Sequence, residues 1–400
     1  MHTLSTQVAG YIEHSSWIRR MFEAGMVLKK KYGQENVYDF SLGNPDLAPP
    51  AIVGQALHQI ADTATNAFAF GYMSNAGYLD TREVLAKYLA KEQETPALGP
   101  EHLVLTCGAA GGLNGLFRAV LDPGDEVVCP APYFVEYGFY VENHGGKLCP
   151  VPSHPGSYEL DLAGIAAALT AKTRVVLINS PNNPTGQVYS GQELEQLGQL
   201  LERHSKKTGR PVYLVSDEPY RFLVYDGVQV PPVLPLYAHS VVIGSFSKSL
   251  SLAGERVGYV AVNPAMPDCA TLLGGLVLTN RILGFVNAPA IGQRLLGAAL
   301  GHGVDLSVYE RRRAAMAAVL DAAEISYVMP KGAFYFFPQV PGTSTDDTAF
   351  VKALMDQQVL AVPGSGFGCP GGFRLALCVP EDVILRSGDA FKRAVSAFLA

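Results

Sequence analysis

The stretch "GSFSKSLSLAGERVG" (Gly244–Gly258) decides how the rest of the chain reads. It overlaps the β-branched run "SVVIGSF", so Lys248 and Arg256 stand just past the end of a buried-type strand. A cation at such a rim is unfavourable unless something anionic or electrophilic meets it. Runs of the same character recur upstream and downstream: "EHLVLTCG", "DEVVCPAP", "KLCPVPS", "TRVVLINS", "PVYLVSDEP" and "RVGYVAVN". Amphipathic stretches such as "GGLNGLFRAVL" and "SGQELEQLGQLLERHSKK" separate several of them. Continuous apolar strands with intervening helices predict an α/β fold whose mostly parallel, seven-stranded sheet is covered on both faces. Ligands gather at the carboxyl ends of such strands. The polar clusters fall there: Gly108–Gly112, Ser180–Gly186, Asp217–Tyr220 and Ser245–Lys248.

Beyond residue 290 the pattern changes. One long helical pattern, "APAIGQRLLGAALGHGVDLSVYERRRAAMAAVLDAA", leads into "ISYVMPKGAFYFFPQV", two short strands and one closing helix, "EDVILRSGDAFKRAVSAFL". This predicts a smaller α+β domain. The expected division is a large domain over 46–290 and a small one built from 1–45 and 291–400.

Bulk properties exclude several classes. A net charge of −6 and a pI near 5.9 leave no footprint for nucleic acid or an anionic membrane surface. The longest apolar candidate, "GGLVLTNRILGFVNAPAIG", is broken by Asn280, Arg281 and Asn287, and the N-terminus lacks a basic region followed by an apolar core. A cytoplasmic enzyme is therefore expected. The six cysteines form no C-x-x-C pair and the nine histidines no H-x-x-x-H pair, so no metal is expected.

Taken singly, each polar cluster has a plain structural reading. "LTCGAAGGLNGLF" is a strand, a small-residue turn and a helix start, which packs well whether or not its N–H groups hold an anion. Asp217 in "VYLVSDEPY" could cap a turn, and Asn182 and Asn183 in "SPNNPTGQ" could stabilise one. A dinucleotide fingerprint is missing, and Ser247 occupies the glycine position that a P-loop needs before its lysine. Taken together, the clusters describe one ligand. Gly108, Ala109, Ala110, Ser245, Ser247 and Arg256 suit a phosphate, Asp217 a cationic ring nitrogen, and Asn183 and Tyr220 a phenolic oxygen. Lys248 supplies an amine for a carbonyl carbon. That ligand is pyridoxal 5′-phosphate, with Lys248 as its Schiff base.

With "SLGNPD", "NNPTG", "SDEPY", "SFSKSLSLAGERVGY", "PKGAFYFF" and "GGFRLAL" in this order, the chain resembles the fold-type I, class I and II aminotransferases over nearly its whole length. The resemblance implies a ping-pong transfer of an L-amino acid's amino group to a 2-oxo acid. Lys248 would also move the proton, and Asp217 and Tyr220 would assist. It further implies that Phe134 stacks on the ring and that Arg374 clamps the substrate α-carboxylate, with Gly43 and Asn183 beside it. Tyr72 would reach the neighbouring subunit's phosphate, which makes a homodimer with shared active sites. A C–S β-lyase on the same scaffold is the alternative. Departures from the family pattern are the "CGAAGG" turn, which lacks a hydroxyl, and Arg281, whose register for a substrate side-chain carboxylate is off by one. Its other reading is a surface arginine. Trp17, Ile18 and Tyr335 are further candidates for the side-chain pocket.

Overall fold

The computed structural model describes residues 3–13 and 17–400. Its strands, among the described residues, are β1 (Tyr38–Asp39), β2 (Leu103–Cys107), β3 (Glu126–Ala131), β4 (Lys147–Pro152), β5 (Thr173–Asn179), β6 (Tyr213–Asp217), β7 (Ser240–Ser245), β8 (Val257–Val262), β9 (Tyr335–Phe336), β10 (Val359–Leu360), β11 (Val362–Pro363) and β12 (Phe373–Ala376). Seven of them form one sheet in the order β2-β8-β7-β6-β5-β3-β4. They are the runs read from the sequence. Every pairing is parallel except the two made by β8, which runs against both β2 and β7.

Alternation along each strand explains why the sheet needs cover on both faces. Val104, Val175, Val215 and Ile243 turn to one core with Leu116 and Phe117 of the helix Gly108–Val120 and Leu276 of Cys269–Ile282. Leu105, Val176, Leu214 and Val242 turn to the other with Leu85 of Leu79–Glu92, Leu197 of Gly191–Thr208 and Leu296 of Ala290–Ala299. The helix Gly191–Thr208 starts where a capping box makes it start: Ser190 accepts from the Glu193 N–H, and Glu193 accepts from the Ser190 N–H in return.

A third core gathers Phe334, Phe336, Phe350, Phe373 and Phe391, and Tyr220 and Leu223 from the loop after β6 pack into it. There β11, β12 and β9 form an antiparallel sheet, and β1 pairs with β10. By contrast, the helix Thr6–Glu13 lies against Glu136–Asn143, with Tyr11 edge-on to Phe139 at 5.0 Å.

Two helical readings are corrected. The long pattern after residue 290 is two helices, Ala290–Ala299 and Leu306–Ala322, because the second is started afresh by Asp305, which accepts from the Ser307 N–H. The closing helix breaks at Ser387, whose hydroxyl donates to the Ile384 carbonyl and terminates Glu381–Arg386 before Gly388–Leu399 begins.

Candidate active site

The carboxyl edge of the large sheet and the third core enclose a cavity of about 400 Å³. Asn179, Asp217 and Ser245 end β5, β6 and β7, so the sheet itself sets their spacing. Of the residues singled out in the sequence, Gly43, Ala109, Ala110, Phe134, Asn183, Asp217, Tyr220, Ser245, Ser247, Lys248, Arg256 and Arg374 line it, and so does Tyr335.

Lys248 is half-buried and donates to the Gly43 carbonyl at 2.8 Å. Burial lowers its pKa to about 8, and the Arg374 and Arg256 charges push the same way against the Cys378 thiol. A useful fraction of free amine is therefore present near neutrality. Asp217 is buried. The Tyr137 hydroxyl donates to its Oδ2 at 2.6 Å, while its Oδ1 has no partner. Burial raises the carboxyl pKa to about 7 even though the Tyr137 bond opposes it and Glu218 adds to it.

Arg374 is a buried guanidinium with no carboxylate beside it among the described residues. Its amino groups donate to the Ser41 carbonyl at 2.6 Å and the Asn183 Oδ1 at 3.1 Å, and its Nε has no partner. The rings of Tyr335 and Phe367 lie 4.8 and 4.9 Å from it. Burial lowers its pKa. A carboxylate is the partner that such a cation lacks. Close by, the hydroxyls of Tyr220 and Tyr335 are 3.0 Å apart.

At the other end of the cavity, the helix Gly108–Val120 presents its first N–H groups. Gly108 has φ +69°, and a Cβ there would stand 2.7 Å from the Arg256 guanidinium. The turn is glycine because the arginine lies against bare backbone. Gly258, the second residue of β8, is closer still: a Cβ would sit 2.6 Å from the Gly108 carbonyl carbon.

Two candidates lie apart. Tyr72 is 96% exposed and Arg281 is exposed at the end of Cys269–Ile282, and neither lines the cavity. The side chains of Trp17 and Ile18 lie outside the described residues. Sequence reasoning missed Tyr137, Asn179 and Glu136. Asn179 bonds both the Asp217 carbonyl and the Asn183 N–H at 2.7 Å, locking β5 to the turn after it. Its terminal position in "TRVVLIN" was the available signal; Tyr137 and Glu136 gave none in a run of aromatics.

The family described as aminotransferase class I and II matches residues 35–387. The chain belongs to that family. The aspartate/prephenate aminotransferase of Thermus thermophilus is 30% identical over 361 residues, covering 88% of this chain and 89% of the relative. The aspartate aminotransferase of Bacillus subtilis is 29% identical and covers 91% and 93%. Among solved structures, an amino transferase from Eubacterium rectale superposes with a TM-score of 0.94 at 36% identity over the whole of both chains. The Thermus thermophilus aspartate aminotransferase with maleate gives 0.86 at 27%, covering 98% and 100%. This aminotransferase thus has the fold and the enzyme class expected from its motifs. No helix among its described residues is long and apolar enough to cross a membrane.

Proposed function

We propose that the cavity binds pyridoxal phosphate and that the aminotransferase moves the amino group of an L-amino acid to a 2-oxo acid, with Lys248 as the reactive amine. One observation carries the reading: a buried carboxylate oxygen, Asp217 Oδ1, lacks a partner in the same cavity as a lysine of lowered pKa. A protonated ring nitrogen is the donor that oxygen needs. The N–H groups of Ala109 and Ala110, the hydroxyls of Ser245 and Ser247, and Arg256 would hold the phosphate, against the Gly108 turn. Asn183 and Tyr220 would hold the ring oxygen, and Phe134 would cover the ring. Bound there, pyridoxal phosphate supplies an aldehyde carbon that condenses with amines and a ring that accepts the electron pair released at the substrate Cα.

The protein's own part is positional and acid–base. Arg374 fixes the α-carboxylate, Gly43 flanks it, and the Lys248 amine takes and returns the Cα proton. Asp217, oriented by Tyr137, keeps the ring nitrogen protonated. A homodimer is part of the proposal: Phe68 and Tyr72 are 91% and 96% exposed, a surface suited to burial against a second copy, where Tyr72 would serve the neighbouring site. Six free cysteines support a reducing, cytoplasmic setting. We also propose a division at 46 and just after Ala299, later than the 290 expected from the sequence. The helix Ala290–Ala299 shares the large sheet's core, which supports a seam just after it.

The test is an absorbance spectrum of purified protein with added cofactor, before and after single L-amino acids. A bound-cofactor band that one amino acid removes and a 2-oxo acid restores is the expected result. Persistence of the band while ammonia accumulates would favour the lyase, and no band would overturn the cofactor assignment.

A further inference from the structure

Glu136 is the first residue of the helix Glu136–Asn143, two positions past Phe134, and it lines the cavity that holds Lys248 and Arg374. It is half-buried, and among the described residues it makes no hydrogen bond or ion pair. None of the described cations lining the cavity pairs with it: Lys248 bonds the Gly43 carbonyl, Arg374 bonds Ser41 and Asn183, and Arg256 bonds the Ala253 carbonyl at 3.0 Å. Among the described residues, burial alone holds the Glu136 carboxyl above its usual range. A glutamate at a helix start gains from the helix dipole wherever its side chain points. The dipole therefore does not explain a glutamate kept on the wall of the reaction cavity at the cost of partial desolvation.

The other wall residues near it, Phe134, Tyr137 and Tyr140, are aromatic and uncharged at neutral pH. With Arg281 exposed outside the cavity, the described residues of this subunit offer a substrate side chain one anion and no spare cation. Resting on the transamination proposed above, we infer that Glu136 selects amino donors whose side chains end in a cation, an ammonium or a guanidinium, over donors ending in a carboxylate.

The experiment compares kcat/KM for charged donors with that for neutral isosteres: L-lysine against L-norleucine, L-arginine against L-citrulline, and L-glutamate against L-glutamine. Wild type should favour lysine or arginine over its isostere, and whichever pair responds identifies the ammonium or the guanidinium as the recognised group. In Glu136→Gln the favoured ratio should fall about tenfold, the loss of one charge-assisted contact. Glu136→Lys should raise the glutamate-to-glutamine ratio instead, a gain that misfolding cannot produce. Dissociation constants of α-methyl-L-lysine and α-methyl-L-norleucine, which lack the Cα proton, should follow the same order without turnover. If amino acids change the cofactor band but both variants keep the wild-type ranking, the inference fails while transamination stands. If wild type prefers glutamate to glutamine and norleucine to lysine, the inference also fails. If no amino acid changes the band, the proposed function fails and takes this inference with it.

Discussion

Replacing Asp217 with asparagine should stabilise the cofactor-free protein, and only at higher pH. The folded carboxyl titrates near pH 7 against an ordinary value of 3.8, a gap of about three pH units. Its folded-state pKa is raised, so the native protein holds the proton more tightly than the unfolded chain does. The associated stability is fully present below about pH 4 and is lost as pH rises to about 7. The whole loss amounts to about 4 kcal/mol, of which about 3 kcal/mol falls between pH 5 and pH 8. Asparagine can still accept from Tyr137, and it carries no charge to desolvate. Glu218, also buried and raised, is present in both proteins. Urea denaturation of both cofactor-free proteins from pH 5 to pH 8, at one protein concentration, reads this out. The variant should gain on wild type by about 3 kcal/mol across that range. Adding pyridoxal phosphate should reverse the order at pH 8, because only the carboxylate can pair with a ring cation. Parallel pH profiles without cofactor would refute the assignment of an uncompensated buried charge.

Arg374→Lys should lower kcat/KM for any donor by about a hundredfold, because an ammonium cannot reproduce a planar two-point grip between Asn183 and the Tyr335 ring; steady-state kinetics checks it. With the Lys248 pKa near 8, cofactor capture should rise with pH about tenfold per unit below that value and level off above it, as the free amine becomes dominant. Stopped-flow mixing over pH 6 to 11 would show the break, and a break near 10.5 would contradict the burial argument. Gly108→Ala should weaken cofactor binding about tenfold in a spectral titration, since the positive φ adds roughly 1–2 kcal/mol of strain and the new methyl displaces Arg256.

The sheet was legible because six of its seven strands, all but the edge strand β4, are short apolar runs buried on both faces, and such runs leave few other readings. The strand-end residues followed from it: once "VYLVSD" and "SVVIGS" are strands, Asp217 and Lys248 must share an edge. Residues whose role depends on a tertiary meeting were not legible. Tyr137 touches Asp217 across 80 positions of sequence, and nothing in "YFVEYGFY" distinguishes it from its neighbours. Arg374 was found only through the family's likeness, because a lone arginine in an apolar strand carries no local sign that its partners are Ser41 and Asn183. Helix breaks at Asp305 and Ser387 were missed for the opposite reason. The apolar period continues across them while one side-chain hydrogen bond starts a new helix at Asp305 and another ends one at Ser387.

The reversed direction of β8 has a consequence for how this protein can vary. A six-residue strand laid parallel to its neighbours would deliver Arg256 to the far edge of the sheet, roughly 20 Å from Lys248. Running backwards, β8 begins where β7 ends, and the single segment Phe246–Arg256 carries both the amine and the guanidinium. That segment acts as a ruler. An inserted residue there would put the two groups out of step, whereas the same insertion at the opposite edge of the sheet would leave their separation alone. Changes in donor preference on this frame have to be written in other loops, and the helix start at Glu136 is one that can move without disturbing the ruler.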